Sequence, residues 1–565
     1  MSTIEIRIEN NSQKAYIEKG ISAAQVADDI YGSPIDFVAV HVDGLPKSLD
    51  FEIIRSCTLH FIPSNTVEGS RIYASSLIFL LQRAVRDVLG IGVRIDVMHT
   101  IQSSYYIEID ERSITPDELK AVEKRMRQYI NAKSSIRCTR KEFSEAMALF
   151  ASQGESEKVE LRESRSRYWM DIYELESLEG NDTIYADFYS PLISKTERLE
   201  DFGLCCFGEG FVLELPVMQP QNDKSSKRQK KTPLPVKLHR VFDMNSDWLN
   251  IMGIDTIGAL NKKIREGEGS SIIRLAEALQ EKNFGFLAEN IYSKHYNEGL
   301  KVVFISGPSS SGKTTFAKRL SVHLSVLGLV PKSISLDDYF VNREETPLDE
   351  EGNYDFEALE AVNVPRFNAD LKKLLCGEEV ELPLFDFKSG KSQNSGNFVQ
   401  ISSNNVLLIE GIHALNPSLS LEIPRSEKYL VYVSALTTLS IDKYNIIHTS
   451  DNRLLRRMVR DNKFRGRSAQ TTIEGWGSVR RGEERHIFPY QENADYMFNT
   501  ALVFEFSILR HNAEPLLRSV PAGSPEHYNA LRLLNFLELF DEIPEKDLPS
   551  TSLFREFLGG SSFHY

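Results

Sequence analysis

The period of the apolar residues changes as the chain is read from its N-terminus, and those changes divide it. Ile4, Ile6 and Ile8 alternate with polar neighbours, the spacing of a half-buried strand. Ser22 is placed to cap a short helix carrying Val26 and Ile30. Phe37 to Val42 reads as a strand ending at an Asp43-Gly44 turn, and Leu59 and Phe61 alternate in a last one. Residues 1–63 are therefore expected to form a small β-rich unit. Residues 64–215 mix the two periods. Tyr105, Ile107 and Ile109 alternate, and then Thr115-Pro116-Asp117-Glu118 forms a capping box with proline at the first helical position. Leu119, Val122, Met126, Tyr129 and Ile130 come next on one helix face, so this unit reads as α+β. Residues 216–295 join a basic linker to helical sequence running from Ile272 to Tyr292. From residue 296 to 565, strand-like and helix-like segments alternate, the pattern of a doubly wound, mainly parallel α/β sheet.

Composition narrows the classes. A chain of 565 residues is too long for one core. The net charge of −14 argues against broad nucleic-acid binding by the whole surface, though not against a local patch. One such patch lies in 222–240, where Lys224, Lys227, Arg228, Lys230, Lys231, Lys237 and Arg240 crowd among prolines and serines. It could touch RNA or acidic lipid; the plainer reading is a solvated domain boundary. The five cysteines have no C-x-x-C spacing, which suits a reducing compartment and offers neither a disulfide framework nor a Cys-rich zinc site. MSTIEIRIEN has no apolar signal core and no run reaches the ~18 residues of a membrane span, so a cytoplasmic protein without a membrane partner is expected.

The sharpest chemical signal is KVVFISGPSSSGKTTFAKRL, residues 301–320. Val302 to Ile305 read as a buried parallel strand. Gly307, Pro308, Ser309, Ser310, Ser311, Gly312, Lys313 and Thr314 match G-x-x-x-x-G-K-[ST], with Thr315 next, and then comes a helix with Phe316, Leu320, Leu324 and Leu327 on one face. Glycines let backbone N–H groups turn around phosphate oxygens at a helix N-terminus. Lys313 can reach the β- and γ-phosphates and the Thr314 hydroxyl can hold Mg²⁺. A nucleoside triphosphate is the expected ligand.

Three further segments extend the chemistry. SISLDDYF, residues 333–340, reads as a strand ending in Asp337 and Asp338, where a base for an attacking hydroxyl would stand. NNVLLIEGIHALN, residues 404–416, has the form of a Walker B strand, with Glu410 where aspartate is commoner. Glu410 would hold Mg²⁺ directly or through water. In DNRLLRRMVRDNKFRGR, residues 451–467, Arg453, Arg457 and Arg460 recur on one helix face beside Arg456, with Arg465 and Arg467 beyond them. Such dense like charge is expected to need an anion, and a closing lid over transferring phosphates is the favoured reading.

GPSSSGKTT, SLDDYF, LPLFDFKSG, VLLIEGIHALN, RLLRRMVRDNKFRGR and SLFREFLGG together resemble a uridine kinase-type nucleoside kinase of the phosphoribulokinase/uridine kinase family, over about residues 296–565. The resemblance implies ATP- and Mg²⁺-dependent phosphorylation of a nucleoside 5′-hydroxyl, in nucleoside salvage. It implies that Asp337 takes the hydroxyl proton, that Asp355 grips the ribose and that Phe385 stacks near the base. It gives Arg457 and Arg467 to the nucleoside, and Arg460 and Arg465 to the phosphates beside Lys313. One departure matters: where uridine kinases carry a base-reading histidine, this chain has Gly390. A glycine offers no side-chain hydrogen bond, so the acceptor stays open between a nucleoside and a sugar or sugar phosphate of the phosphoribulokinase type.

The N-terminal segments carry resemblances of their own. Residues 1–63 resemble the β-grasp TGS module of threonyl-tRNA synthetases, and 64–215 look like the editing-type domain that comes after it there. That family's H-x-x-x-H and C-x-x-x-H positions fall on Ser75, Phe79, Ala186 and Ser190, none of which supplies an imidazole or a thiolate. A structural or regulatory role is expected. The whole order is similar to the long bacterial form of these kinases. An ATP-switched, RNA-binding regulator is the rival from another class, and homo-oligomerisation is left open.

Overall fold

The computed structural model describes residues 3–32, 37–101, 104–110, 112–163, 165, 168–216, 234–349, 352, 354–386 and 389–564. The N-terminal strand Thr3–Ile8 pairs antiparallel with Gln13–Glu18 and parallel with Cys57–Pro63. Phe37–Val42 and Leu45–Lys47 complete a five-stranded sheet. The helix Ala23–Tyr31 starts where Ser22 Oγ accepts the Gln25 N–H, and it buries Val26 against Ile6, Ile8, Val40 and Phe61. This is a β-grasp.

The next region is built on the helix Val67–Leu89, which runs through an apolar cluster with Val97, Ile107 and Phe211. Those three come from the antiparallel sheet of Ile95–Ile101, Ser104–Ile109, Gly203–Phe207 and Gly210–Glu214. Thr115 and Glu118 close their capping box on Pro116–Asn131, whose buried residues are Leu119, Val122, Met126, Tyr129 and Ile130. A second sheet pairs Arg137–Glu142, Trp169–Glu176 and Thr183–Ala186. Of the basic stretch, Lys224, Lys227, Arg228, Lys230 and Lys231 lie outside the described residues. Lys237 and Arg240 stand on the helix Val236–Met252, and the Lys237 ammonium donates to the carbonyls of Glu492 and Ala494.

The C-terminal region holds a five-stranded sheet, in spatial order Val330–Ser335, Asn405–Glu410, Val302–Ser306, Lys428–Ser434 and Tyr496–Asn499, all parallel. The central strand shows why parallel strands read as continuous apolar runs. Val302 and Phe304 face one cluster with Tyr339, Phe367 and Leu374, while Val303 and Ile305 face another with Phe284, Phe316 and Leu320. Helices therefore cover both faces, Gly269–Glu298 and Lys313–Val326 on one and Val364–Leu375 on the other. The strand before the aspartates ends at Ser335, so Asp337 and Asp338 sit on the 3-10 turn Leu336–Tyr339 rather than on the strand itself.

One connection ties this sheet to the middle region. After Lys428–Ser434 the chain leaves the sheet, and Lys443 O accepts the Val97 N–H at 2.9 Å. Tyr444 enters the middle region's core and donates to Glu155 at 2.9 Å. The chain then returns to open the helix Thr449–Arg465.

Candidate active site

The phosphate loop forms where the central strand ends. Gly307 passes so close to its neighbour that a Cβ there would lie 1.9 Å from the Val433 carbonyl oxygen, so only glycine fits. Ser310 and Gly312 turn the loop with φ of 59° and 87°. The Lys313 ammonium donates to the carbonyls of Gly307 and Pro308, at 2.9 and 3.2 Å. The hydroxyls of Ser310 and Ser311 are buried with no hydrogen-bond partner among the described residues.

A cage of side chains holds the loop from outside. Glu483 accepts the Ser309 N–H at 3.0 Å, and Arg453 donates to the Ser309 carbonyl at 3.1 Å. Arg453 and Glu483 also pair with each other, 1% and 0% exposed. Arg456 donates to Glu505 at 2.8 Å and to the Thr500 carbonyl at 2.9 Å, while the Thr500 hydroxyl reaches Ser311 O at 2.6 Å. Arg457 donates to the Ser309 hydroxyl at 2.8 Å. Thr315 gives its N–H and its hydroxyl to Glu556, at 3.2 and 2.6 Å, and so anchors the C-terminal tail.

These contacts correct the reading of the arginine helix. Arg453 and Arg456 do not wait for an anion, because buried glutamates already neutralise them. Leu454, Leu455, Met458 and Val459 are packed into a core cluster, so the helix is a fixed wall rather than a lid. Beyond it, buried Asp461 gathers Arg457, Arg460 and Arg465 at 3.2–3.4 Å. Arg467 is exposed, and its backbone N–H donates to Asp461 O.

The carboxylates opposite are crowded. Thr314 and Ser335 both donate to one oxygen of Glu410, each at 3.2 Å. Burial and the nearby Asp337 push the Glu410 carboxyl up to about 7, with Lys313 opposing. Asp337 is also raised, by the protein packed around its carboxyl, while Lys313, Arg465 and Arg460 pull it back. Its outer surface is open to solvent, so water dilutes that push. Asp338 has a different duty: it accepts the backbone N–H of Phe385. Lys313, Arg460 and Arg465 thus all act electrostatically on Asp337, near the carboxyl end of the parallel sheet.

Other expected residues are placed differently. Phe385 is 4% exposed and packs edge-on against Phe340 at 5.5 Å, so it belongs to the core and presents little ring face to a base. Asp355 accepts the Glu357 N–H at 3.0 Å and stands 3.8 Å from the His486 imidazole. Gly390 has φ of 71°, and the Arg343 side chain fills the space above it, 2.8 Å from where a Cβ would sit. Glu357, Glu483, Thr500 and Glu505 had no sequence signal, since each is joined to the site through the tertiary fold, whereas Asp461 stands at i,i+4 from both Arg457 and Arg465 on the same helix. Glu357 lies against Gly482, and burial and Glu483 raise its carboxyl to about 7.

The strand, loop and helix around Lys313 define the C-terminal region as a P-loop kinase. Residues 302–503 match the Phosphoribulokinase / Uridine kinase family, and this region belongs to it. The protein is thus a phosphotransferase acting on an alcohol group. Among its relatives, a uridine kinase of Borrelia duttonii (strain Ly) is 29% identical over 205 residues, 35% of this chain and 84% of the relative. A threonine–tRNA ligase of Solidesulfovibrio magneticus is 32% identical over 126 residues, 22% of this chain and 19% of that enzyme, in the N-terminal part. A solved structure described as a possible uridine kinase from Bacillus stearothermophilus is 21% identical, and the match covers 39% of this chain and 98% of that one with a TM-score of 0.25.

Proposed function

We propose that the protein transfers the γ-phosphoryl group of ATP to the 5′-hydroxyl of a nucleoside. The observation that carries this reading is the phosphate loop built around Lys313, with Asp337 close enough for Lys313, Arg460 and Arg465 to act on its charge. Buried hydroxyls without partners are costly, and those of Ser310 and Ser311 suit phosphate oxygens. Asp337 would orient the acceptor hydroxyl and take its proton, and its raised pKa moves it toward the range of a general base. Lys313, Arg460 and Arg465 would meet charge on the transferring group. Thr314 and Glu410, hydrogen-bonded to each other at 3.2 Å, offer the hard oxygen donors Mg²⁺ prefers. When bound there, Mg²⁺ would neutralise phosphate oxygens.

A second reading rests on Arg343. A guanidinium covers Gly390 where the resemblance has an imidazole, and it favours an acceptor with an anionic or hydrogen-bond-accepting edge. A sugar phosphate meets that description.

The test is acceptor-dependent ADP release with ATP and Mg²⁺, over a panel of nucleosides and ribulose 5-phosphate. Turnover on a nucleoside is expected, reduced ~10³-fold by Lys313→Ala and ~10²-fold or more by Asp337→Asn. Turnover on the sugar phosphate alone would move the acceptor to the second reading. No turnover on any acceptor would overturn the metabolic kinase, and an RNA titration would be next.

A further inference from the structure

A cavity lies away from the phosphate loop. It encloses about 1000 Å³ where the middle region meets the kinase region. Ser75, Trp169 and Ser190 line one side, and Trp476, Arg480 and Arg532 the other. Its floor is the connection that leaves the sheet after Ser434 and returns at Thr449, represented in the wall by Tyr444 to His448. A volume at the upper end of the range for small-molecule sites, at a junction between folding units, is a common setting for a ligand. Ser75 and Ser190 stand where the resemblance has imidazoles, so the cavity has no imidazole at those two places.

We propose that this cavity binds a small anion carrying a planar ring, a molecule of mononucleotide size, and that its occupancy is transmitted to the phosphate loop. The charge of the walls sets the first half of that class. Arg71 and Arg532 both donate to one carboxylate, Asp451, with bonds of 3.0 Å from each. Glu68 also lines the cavity and acts on Arg532, yet the lining arginines outnumber the lining carboxylates five to four, and the two guanidiniums carry more N–H donors than Asp451 can accept. The cations on the middle region's side have carboxylates to match: Arg140 pairs with Asp171, and Arg162 and its neighbour Lys158 with Asp187 and Glu155. The excess positive charge therefore lies around Arg71, Arg480 and Arg532, where the two regions meet. Aromatic surface sets the second half. Trp169 is 60% exposed beside the cavity, and the Trp476 ring forms part of the facing wall. Rings of this kind stack on a planar ligand while guanidiniums hold its anionic group.

The path to the phosphate loop is short and made of buried contacts. The Arg453 guanidinium lies 5.4 Å over the Trp476 ring, and Arg480 donates to Glu483 at 3.2 Å. Arg453 and Glu483 are the pair that grips both polar atoms of the Ser309 backbone. The floor of the cavity continues into the strand whose Val433 carbonyl abuts Gly307. A ligand that presses on Trp476 or draws on Arg480 thus acts on the loop through a single buried ion pair.

The binding half stands without the kinase reading; the coupling half rests on it. Binding is measured on the full-length Lys313→Ala protein by calorimetry and tryptophan fluorescence, with AMP, GMP, UMP and CMP as probes. Inorganic pyrophosphate and the matching nucleosides serve as ring-free and charge-free controls. At least one monophosphate is expected to bind one-to-one. Either Trp169→Ala or Arg71→Gln should weaken it about tenfold, and the controls should bind at least about tenfold less tightly. Trp169 is mostly exposed, so its truncation spares the core, and melting curves check both variants. In the Lys313 parent, the bound compound should shift the KM for ATP by about threefold or more, and Trp169→Ala should abolish the shift. Absence of binding by all four nucleotides, or binding untouched by both cavity substitutions, would overturn the site. Binding with an unmoved KM would overturn the coupling while ADP release still reports on the kinase.

Discussion

At the scale of single residues, the site depends on where the backbone leaves no room. Gly307 cannot carry a side chain because Val433 O occupies the place, and Gly390 cannot because Arg343 does. Only Gly390 also holds a left-handed φ, which adds strain to the clash. Gly390→Ala is therefore expected to cost about 1–2 kcal/mol, read as a lower urea midpoint at unchanged slope. A histidine placed there would displace Arg343 rather than restore a base-reading contact. The motif residues were legible because a strand, a glycine loop and a helix lie together within residues 301–320. Phe385 was not, since its ring side is set by packing with Phe340, and Asp338 was separable from Asp337 only through the Phe385 N–H it accepts.

At the scale of elements, the helix Thr449–Arg465 carries the clearest lesson. Its arginine spacing is visible in the sequence, but the neutralisation of Arg453 and Arg456 is not, because the carboxylates come from Trp476–His486 and Glu505–Arg518. No periodicity links Arg453 to Glu483, 30 residues further along the chain. The pair is fully buried, so removing one partner strands a charge. Glu483→Gln is expected to destabilise the protein by about 3–5 kcal/mol in denaturant titration and to raise the KM for ATP. The Arg453→Met, Glu483→Gln double variant should recover part of the stability, because neither charge is then left alone, but should not recover the KM. Equal KM values for parent and double variant would mean that the pair supports the fold and does not shape the loop. Hydrophobic periodicity, by contrast, made the buried face of Pro116–Asn131 and the parallel strand Val302–Ser306 readable at once.

At the scale of the whole molecule, buried ionisable groups pull stability in opposite directions with pH. Burial lowers His99 to about 3, and His99 stacks on Phe242 at 4.0 Å while sharing a hydrogen bond with His239. The unfolded chain takes up that proton near pH 6.5 and the folded one refuses it until about 3, so this group removes stability as pH falls between those values. Glu357 and Glu410, raised to about 7, work the other way: their stabilising effect is complete below about 4.5 and is lost as pH rises through 7. The informative quantity is therefore a difference. The melting-temperature gap between parent and His99→Gln should narrow from about pH 7.5 to about pH 5. A constant gap would mean that His99 titrates alike in the folded and unfolded chain.

The order of strands in the parallel sheet also has a history in time. Val302–Ser306 is central in space yet the earliest of the five to be synthesised, and its two neighbours start at residues 405 and 428. At roughly 5–20 residues per second, the ribosome needs about 5–20 s to supply the nearer one. Through that interval the most apolar strand of the kinase region has no edge to pair with, while the β-grasp and most of the middle region have already emerged. The N-terminal regions are thus finished neighbours beside an unfinished sheet, and the connection through Tyr444 docks into them only after the strand Lys428–Ser434 is made. The cavity between them can close only after residue 539 is made, and the tail that Glu556 ties to Thr315 comes later still.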